Sequence, residues 1–383
     1  MKNENLKIGI TLSGGGIRAA IFHLGVLARL SDEGLLEKIE MISTVSGGTL
    51  LVGMIYTANK KKWPNSIEFK SACIPFVKKI LTEKNLQINA IIRTFLNPWL
   101  FYYGRAKILS ESIKKCWSID GKLSEIPLKP RWNINSCTIE SGKSWRFVPG
   151  RRMGDYIINY VENPEISLAD VLSSSAAVPF LIGNLLIRTK NYKWFKYTSN
   201  EIKTPIEQKF KKIHIWDGGV YDNLGMEALV KLRNGCFYRD ELNFLIVSDA
   251  SKELGTGKPF FQSRAFRLLD ITTDQVRSLR SRILMDHFNN NNEAGVYLRI
   301  GCTIEDIIRN KPILDEKEFD TTNYSNKEIV NKVKNYKTTL KRISINDFFE
   351  IFKHGWEVTN ATLITYCPTL FLNKIYKANN YFE

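Results

Sequence analysis

The sequence predicts an α/β protein in which helices flank a mostly parallel central sheet, with a helical insertion in the chain. Three observations favour this fold class. Two consecutive units of strand, glycine turn and helix open the chain, a lysine-rich stretch with helical periodicity follows them, and short strands rich in β-branched residues resume further on. Repeated units of this kind form parallel sheets with right-handed crossovers.

The first unit starts with the strand Lys7–Leu12, which stops at the glycine turn Ser13–Gly16. Apolar residues then recur at helical spacing, and Gly34 ends this helix as a C-terminal cap. The second unit repeats the pattern with the strand Ile39–Val45, the turn Ser46–Gly48 and another apolar helix. Both turns are therefore expected at the carboxyl ends of neighbouring parallel strands.

The later elements surround this parallel part. Residues 60–130 are predicted to form the helical insertion, and its aromatic segment Asn97–Tyr103 is interpreted as buried core in preference to a surface that enters a bilayer. The remaining β-structure is a hairpin from Arg131 to Val148 and strands at Lys212–Trp216 and Leu242–Ser248.

The length and composition are those of a folded, enzyme-sized chain. The 383 residues are 44% hydrophobic and 25% charged, which excludes a disordered or collagen-like protein. We expect residues 1–255 to form the core domain, with the insertion at 60–130 within it. Residues 256–383 are expected to form a C-terminal helical extension packed on that core.

The charge balance favours anionic partners. The 55 Lys and Arg residues exceed the 39 Asp and Glu residues, for a net charge of +16, which suits nucleic acid, an anionic bilayer surface or phosphorylated substrates. The sequence contains neither a signal peptide nor an apolar run of spanning length, so we expect a cytoplasmic protein that associates with membranes at most peripherally. The six cysteines lack zinc-ligand spacing, and no metal or other cofactor is predicted.

Ser46 stands where a strand ends and a helix begins, in the sequence TVSGG. A nucleophilic serine on such a tight turn needs small neighbours, which Gly47 and Gly48 provide. Thr44 occupies a position where the usual pattern has glycine. A serine before two glycines is, taken alone, more often a helix N-cap than a nucleophile, so this motif leaves both interpretations open.

The glycine turn of the first unit, SGGGIR from Ser13 to Arg18, can bind an anion through its backbone N–H groups. It formally matches a dinucleotide-binding fingerprint. That motif needs an acidic residue at the end of the second strand, where this chain has Ser46. An oxyanion hole serving this serine therefore explains the loop better.

A third motif places Asp217 directly after a predicted strand, followed by two glycines. Alone, this pattern is an ordinary turn. All three motifs end predicted strands at their carboxyl sides, so we expect them to converge on one crevice.

Taken in order, the three motifs resemble the signature blocks of patatin-like phospholipases. The glycine loop, the serine in VSGG and the aspartate in DGG carry the resemblance, and the segment Ser173–Phe180 and the central hairpin are similar to further blocks. The resemblance extends from about Lys7 to Asp249. It departs from the family pattern at Thr44 and Ala19, where glycine is usual.

The resemblance implies a patatin-like three-layer fold and a serine–aspartate dyad without histidine. Ser46 would attack the ester carbonyl and Asp217 would accept its proton. The oxyanion would be held by the amides of Gly14, Gly15 and Gly16.

The resemblance also implies the substrate. A phospholipase A releases fatty acid and lysophospholipid from a glycerophospholipid, and the dyad needs no metal. The net charge of +16 adds the expectation that this occurs at an anionic membrane surface. Arg18 would bind a substrate phosphate, as the fork of a guanidinium suits.

Several alternatives stay open. A conventional triad needs a late histidine, and only His287 and His354 qualify. The same site would suit a general carboxylesterase or a membrane-degrading effector that a protein or nucleotide activator switches on. A non-catalytic binder of anionic lipid or nucleic acid would also explain the charge, but nucleic acid is disfavoured because no motif for it is present.

Overall fold

A computed structural model of the 383-residue chain describes residues 5–179, 181–198, 203–231, 237–238, 242–255, 264–309 and 324–382. Within these residues, a central sheet organises the molecule. Its strands, in chain order, are β1 (Ile8–Leu12), β2 (Ile39–Thr44), β3 (Arg131–Thr138), β4 (Ser144–Val148), β5 (Arg152–Asp155), β6 (Asn159–Glu162), β7 (Leu185–Arg188), β8 (Trp194–Tyr197), β9 (Lys203–Ile206), β10 (Lys212–Asp217), β13 (Phe244–Asp249) and β14 (Gly295–Arg299), while β11 (Val230–Lys231) and β12 (Phe237–Tyr238) form a separate ribbon.

The sheet is mixed, with a parallel centre. Strands β14, β13, β1, β2 and β3 lie side by side in parallel. Strands β4, β5, β6, β8 and β9 continue the sheet in antiparallel pairs. The predicted α/β fold class, with helices flanking this sheet, is confirmed.

The helices cover the sheet, and α1 is the most deeply buried of those described. The helices are α1 (Gly16–Ser31), α2 (Gly47–Ala58), α3 (Ser66–Glu68), α4 (Ile74–Glu83), α5 (Leu86–Leu96), α6 (Ala106–Trp117), α7 (Leu168–Ser175), α8 (Gly219–Asp222), α9 (Arg264–Asn290), α10 (Ile304–Arg309), α11 (Lys327–Asn335), α12 (Ile345–Tyr366) and α13 (Asn379–Phe382). Every residue of α1 is buried, and the helix packs along α12. The protein therefore encloses α1 on all sides, and not only on the apolar face that its periodicity predicts.

Two features of the sheet differ from the sequence-based expectation. β10 pairs antiparallel with both β3 and β7, so the sheet turns antiparallel immediately beside its parallel centre. β14 comes from the chain after residue 255, where the sequence predicted only helices, and it pairs in parallel with β13. The division into a core domain and a C-terminal extension stays a prediction, but the later part of the chain contributes a strand to the same sheet.

Helices α3 to α6 lie within the predicted insertion, and its aromatic segment continues as the short 3-10 helix Pro98–Tyr103. The interpretation of this segment as buried core is wrong. Trp99 is 62% exposed and Tyr102 is 65% exposed. The helical periodicity is present, but the apolar side of the segment faces away from the rest of the protein.

Among the described helices, none is long and apolar enough to cross a membrane. The five described cysteines are free thiols, and Cys236 lies outside the described residues. Within the part of the chain that the structure describes, His, Cys, Asp and Glu side chains form no group of three or more suited to a metal ion.

Candidate active site

Ser46 occupies the turn between β2 and α2 in a backbone conformation that few non-glycine residues adopt. Its φ is 48° and its ψ is −112°, which is strained for a residue with a Cβ and is typical of a nucleophile elbow. The Ser46 side chain makes no capping hydrogen bond to α2. The N-cap interpretation therefore does not account for this serine.

The two glycines after Ser46 let the elbow pack directly on its neighbours. A Cβ on Gly47 would lie 2.2 Å from the Gly16 carbonyl oxygen, and a Cβ on Gly48 would lie 2.4 Å from the Leu12 carbonyl oxygen. Neither position has room for a side chain, so both require glycine. The elbow and the glycine loop are consequently in direct backbone contact.

Helix α7 and strand β3 support the elbow. The Ser46 N–H donates to Ser175 Oγ at 3.0 Å, and the Ser175 hydroxyl donates to the Asn135 carbonyl oxygen at 2.7 Å. The Asn135 side-chain amide donates to the Thr44 carbonyl oxygen at 3.0 Å. Sequence reasoning missed both supporting residues. The segment Ser173–Phe180, whose last residue lies outside the described residues, is the one sequence signal for Ser175, and Asn135 has none.

Asp217 ends β10 and approaches from the opposite direction to Ser46. β10 is antiparallel to β3, with Asp217 opposite Ser136, whereas β2 is parallel to β3, with Thr44 opposite Ile134. Strand β4 occupies the other edge of β3, so β2 and β10 lie on the same edge and run toward each other. Because Ser46 follows Thr44 by two residues, it meets Asp217 at this edge. The structure brings the motifs together, but the expected reason is wrong for Asp217, since its strand is antiparallel.

The Asp217 carboxyl is buried, and the Ser46 side chain is close enough to influence its pKa. Burial raises the pKa of Asp217 to about 7, and a hydrogen bond from the Gly219 N–H, at 2.7 Å, together with the Ser46 side chain, offsets part of that increase. The Asp217 N–H donates to the Ala177 carbonyl oxygen at 3.0 Å, which fixes the end of the strand. A carboxylate with this pKa is a much stronger base than one at the ordinary value of about 3.9.

The glycine loop lies beside the serine. A Cβ on Gly14 would lie 3.3 Å from Ser46 Cβ. The Gly14 N–H donates to the Asn223 carbonyl oxygen at 3.2 Å. Gly15 and Gly16 have φ values of 142° and 67°, which glycine adopts readily. Their N–H groups donate to no protein oxygen in the described part of the chain, so these two amides are free to bind an anion.

Arg18 does not lie where its predicted role requires. Its side chain is fully buried, and burial lowers its pKa to about 10. The guanidinium donates to the carbonyl oxygens of Ala250 at 2.8 Å, Lys334 at 2.9 Å and Tyr336 at 3.1 Å. The prediction that Arg18 binds a substrate phosphate is contradicted by this arrangement. Arg18 instead joins the first helix to the C-terminal part of the chain.

The structure describes all four histidines, and none hydrogen-bonds to Ser46 or Asp217. His354 is buried in α12, where its Nε2 accepts a hydrogen bond from the Gly301 N–H at 3.0 Å. His287 lies on α9. The triad that these two late histidines would complete is therefore not formed in the structure.

The fold and the geometry together are typical of acyl hydrolases whose serine lies on a strained turn between a strand and a helix. A sequence model described as patatin-like phospholipase matches residues 10–230, which is more than half of the chain. The chain belongs to the patatin-like phospholipase family.

Known relatives agree with this assignment. The chain is 44% identical over 52 residues to cytosolic phospholipase A2 gamma of Mus musculus, a match that covers 14% of this chain and 9% of that protein. The structure of human GIVD cytosolic phospholipase A2 is similar with a TM-score of 0.52 at 10% identity, over 93% of this chain and 61% of that one.

A second structure of the human protein, bound to a methyl gamma-linolenyl fluorophosphonate inhibitor and terbium chloride, gives a TM-score of 0.51 at 12% identity, over 94% of this chain and 58% of that one. At these identities the similarity shows the fold alone. The chain spans less than two thirds of the length of these relatives.

Proposed function

We propose that this chain is a lipid acyl hydrolase of the phospholipase A type, with Ser46 as nucleophile and Asp217 as base. One observation carries the proposal: a serine on a strained turn lies beside a buried carboxyl whose pKa is raised to about 7. Membership of the patatin-like phospholipase family supports an acyl ester of a glycerophospholipid as the substrate.

The first half of the reaction forms an acyl-enzyme. Ser46 Oγ attacks the ester carbonyl carbon while its proton passes to the Asp217 carboxylate. The tetrahedral intermediate collapses by breaking the bond to the leaving oxygen, which takes the proton from Asp217. The lysophospholipid then departs, and the acyl group stays on Ser46.

The second half repeats the chemistry with water. Asp217 removes a proton from the attacking water, and the new intermediate expels Ser46 Oγ, which regains the proton. The products are free fatty acid and unchanged enzyme. Asp217 thus acts alternately as base and acid, a role for which a pKa of about 7 is well matched.

The negative charge of both intermediates needs hydrogen-bond donors. The free amides of Gly15 and Gly16 are suited to this role, whereas the Gly14 amide is already engaged with Asn223. Loss of one such donor typically costs about 3 kcal/mol of transition-state stabilisation. A glycine loop in backbone contact with the elbow supplies these donors without a side chain.

The test is fatty-acid release from phospholipid vesicles by wild type, Ser46→Ala and Asp217→Asn, each with EDTA present. We expect turnover by wild type and a decrease of at least about a hundredfold in both variants. Ser174→Ala is the matched control. Ser174 is a buried serine next to Ser175 in α7; it donates to the Val171 carbonyl oxygen and takes no part in the proposed chemistry. Full activity of Ser46→Ala would exclude the proposed nucleophile.

A further inference from the structure

Helix α5 and the 3-10 helix after it carry an apolar surface that faces away from the protein. Its members recur at the three- and four-residue spacing of one helical face. They are Ile88, Ile91, Ile92, Phe95, Leu96, Trp99 and Tyr102, called the α5 surface below, and each is at least half exposed. Single exposed apolar residues are common, whereas a continuous face of seven indicates a binding surface.

The amphipathic character of α5 is inverted. Phe95 is 80% exposed and Leu96 is 66% exposed. The polar residues Gln87, Asn89 and Thr94, in contrast, are half-buried on the side toward the protein. A helix on the surface of a water-soluble protein normally buries its apolar side chains and exposes its polar ones. The α5 surface is therefore suited to an apolar partner.

The charge around the α5 surface restricts the chemistry of that partner. From Lys84 to Ser110 the chain contains four basic residues and no acidic one. Lys84 and Arg105 are exposed, and within the described part of the chain neither forms an ion pair with a carboxylate. An apolar face with a cationic border complements an anionic bilayer, whose acyl chains lie beneath phosphate groups.

Further cations flank the aromatic end of the surface. The Arg188 guanidinium carbon lies 4.9 Å from the centroid of the Tyr102 ring and 5.0 Å from that of Tyr103, and Lys212 Nζ lies 5.7 Å from the Tyr102 centroid. Arg188 Nε and Nη2 have no hydrogen-bond partner among the described residues. Both of these Arg188 nitrogens are buried, whereas Lys212 is exposed. Lys212 is therefore the cation available to phosphate oxygens at the level where Trp and Tyr rings prefer to lie in a bilayer.

The α5 surface is connected to the candidate active site. The Gln87 N–H at the start of α5 donates to the Leu340 carbonyl oxygen at 3.1 Å. The adjacent Thr339 carbonyl oxygen accepts from the Ile17 N–H, also at 3.1 Å, at the end of the glycine loop. One short segment therefore contacts both α5 and the loop beside Ser46.

We propose that the α5 surface inserts into the interface of an anionic phospholipid bilayer, with the exposed Arg105 and Lys212 binding lipid phosphates. This proposal rests on the proposed function in one respect: membrane binding by the α5 surface would hold the active site close to its lipid substrate. Binding itself does not require catalysis. The two proposals can therefore fail separately.

The experiment measures cosedimentation of the full chain carrying Ser46→Ala with vesicles of equal parts phosphatidylcholine and phosphatidylglycerol. Adding Phe95→Ser and Trp99→Ser should weaken binding at least about tenfold, because both apolar side chains lose their burial in lipid. Lys212→Gln should weaken it about fivefold, and binding should weaken with salt. Ile375→Ser is the matched control, since Ile375 is 73% exposed but lies outside the α5 surface.

Three results would overturn the proposal. They are no binding of the Ser46→Ala protein to these vesicles, equal binding to phosphatidylcholine alone, and undiminished binding of the Phe95→Ser, Trp99→Ser protein. Sedimentation without vesicles tests a second copy of the chain as the alternative partner: a dimer that the two serines dissociate would also contradict the proposal. If the wild-type protein binds vesicles but releases no fatty acid, the result would support the α5 surface as a membrane-binding surface and contradict the proposed function.

Discussion

Asp217 is held in surroundings that disfavour its charge, and this single group sets the pH dependence expected of the enzyme. Burial raises the pKa of the carboxyl to about 7, although the Gly219 N–H and the Ser46 side chain favour the charged form. A serine hydroxyl needs a base of this strength when no histidine is present. The strained turn at Ser46 holds the serine hydroxyl toward this carboxyl. The surrounding hydrogen bonds offset the free-energy cost of the backbone strain.

The first prediction concerns the pH profile. Asp217 must be deprotonated to accept the Ser46 proton, so kcat/KM should rise about tenfold per pH unit below its pKa and level off above about pH 7. The measurement is initial rates on a soluble short-chain ester from pH 5 to pH 9. A profile that is already flat at pH 5 would show that the base titrates near the ordinary value for aspartate.

The second prediction follows from the same raised pKa. The folded state holds the Asp217 proton more tightly than the unfolded chain, so this group destabilises the fold increasingly as pH rises from about 4 to about 7. Asp217→Asn, which stays neutral, should raise the free energy of unfolding by up to about 4 kcal/mol above pH 7. Urea unfolding at pH 4.5 and pH 8 checks this, because the difference between the two proteins should narrow to about 1 kcal/mol at the lower pH.

Ser46 and Asp217 could be singled out from the sequence because each lies in a short glycine motif directly after a strand. The role of Arg18 could not be predicted. Its partners, the carbonyl oxygens of Ala250, Lys334 and Tyr336, come from distant parts of the chain. The motif identifies an arginine near the loop, but only tertiary structure determines whether its guanidinium meets solvent or backbone.

At the scale of elements, the elbow depends on a helix far away in sequence. Ser175 of α7 accepts from the Ser46 N–H and donates to the Asn135 carbonyl oxygen, and the carbonyl of nearby Ala177 accepts from the Asp217 N–H. The segment that includes Ser175 and Ala177 therefore contacts Ser46 and Asp217 together. We infer that it sets their separation.

The third prediction tests this support. Ser175→Ala removes the hydroxyl that accepts from the buried Ser46 N–H and donates to the Asn135 carbonyl oxygen, so we expect a loss of about 1–3 kcal/mol in stability. The value of kcat should decrease by more than KM changes, because the serine is misplaced while the surface that binds substrate is intact. Ser174→Ala serves as the control on the same helix. Equal kcat values for the two variants would contradict a positioning role for Ser175.

Two element-scale features were beyond sequence reasoning for physical reasons. The short run Lys212–Trp216 predicts a strand, but its direction depends on its pairing with β3 and β7. Apolar periodicity in α5 predicts a helix with one apolar face. The same pattern arises whether that face is buried or exposed, and the interpretation of Asn97–Tyr103 as core is wrong for this reason.

At the scale of the whole molecule, helix α12 packs against the region that carries the glycine loop. α12 packs along the buried helix α1, and two glycines permit the close approach. A Cβ on Gly25 would lie 2.0 Å from the Phe352 carbonyl oxygen, and a Cβ on Gly355 would lie 2.1 Å from the Phe22 carbonyl oxygen. No sequence pattern indicates this crossing, because each glycine lies inside an ordinary helical pattern.

The fourth prediction concerns this contact. Alanine for glycine inside a helix ordinarily stabilises by roughly 1 kcal/mol, but Gly355→Ala should destabilise the protein by about 1–3 kcal/mol, because backbone atoms cannot yield to the added methyl. Because α1 carries the glycine loop at its start, activity should fall as well. Thermal unfolding and ester hydrolysis measure the two effects. An increase in Tm would show that the two helices do not meet as described.

The central claim, that Ser46 and Asp217 form an acyl-transferring dyad, is tested most directly by trapping the nucleophile. The measurement is intact-protein and peptide mass spectrometry after reaction with a fluorophosphonate probe in EDTA. The account predicts one adduct, located on Ser46, that forms at least about a hundredfold more slowly in Asp217→Asn, since the hydroxyl then lacks its base. Labelling of another serine, or unchanged labelling of Ser46 in Asp217→Asn, would contradict the account.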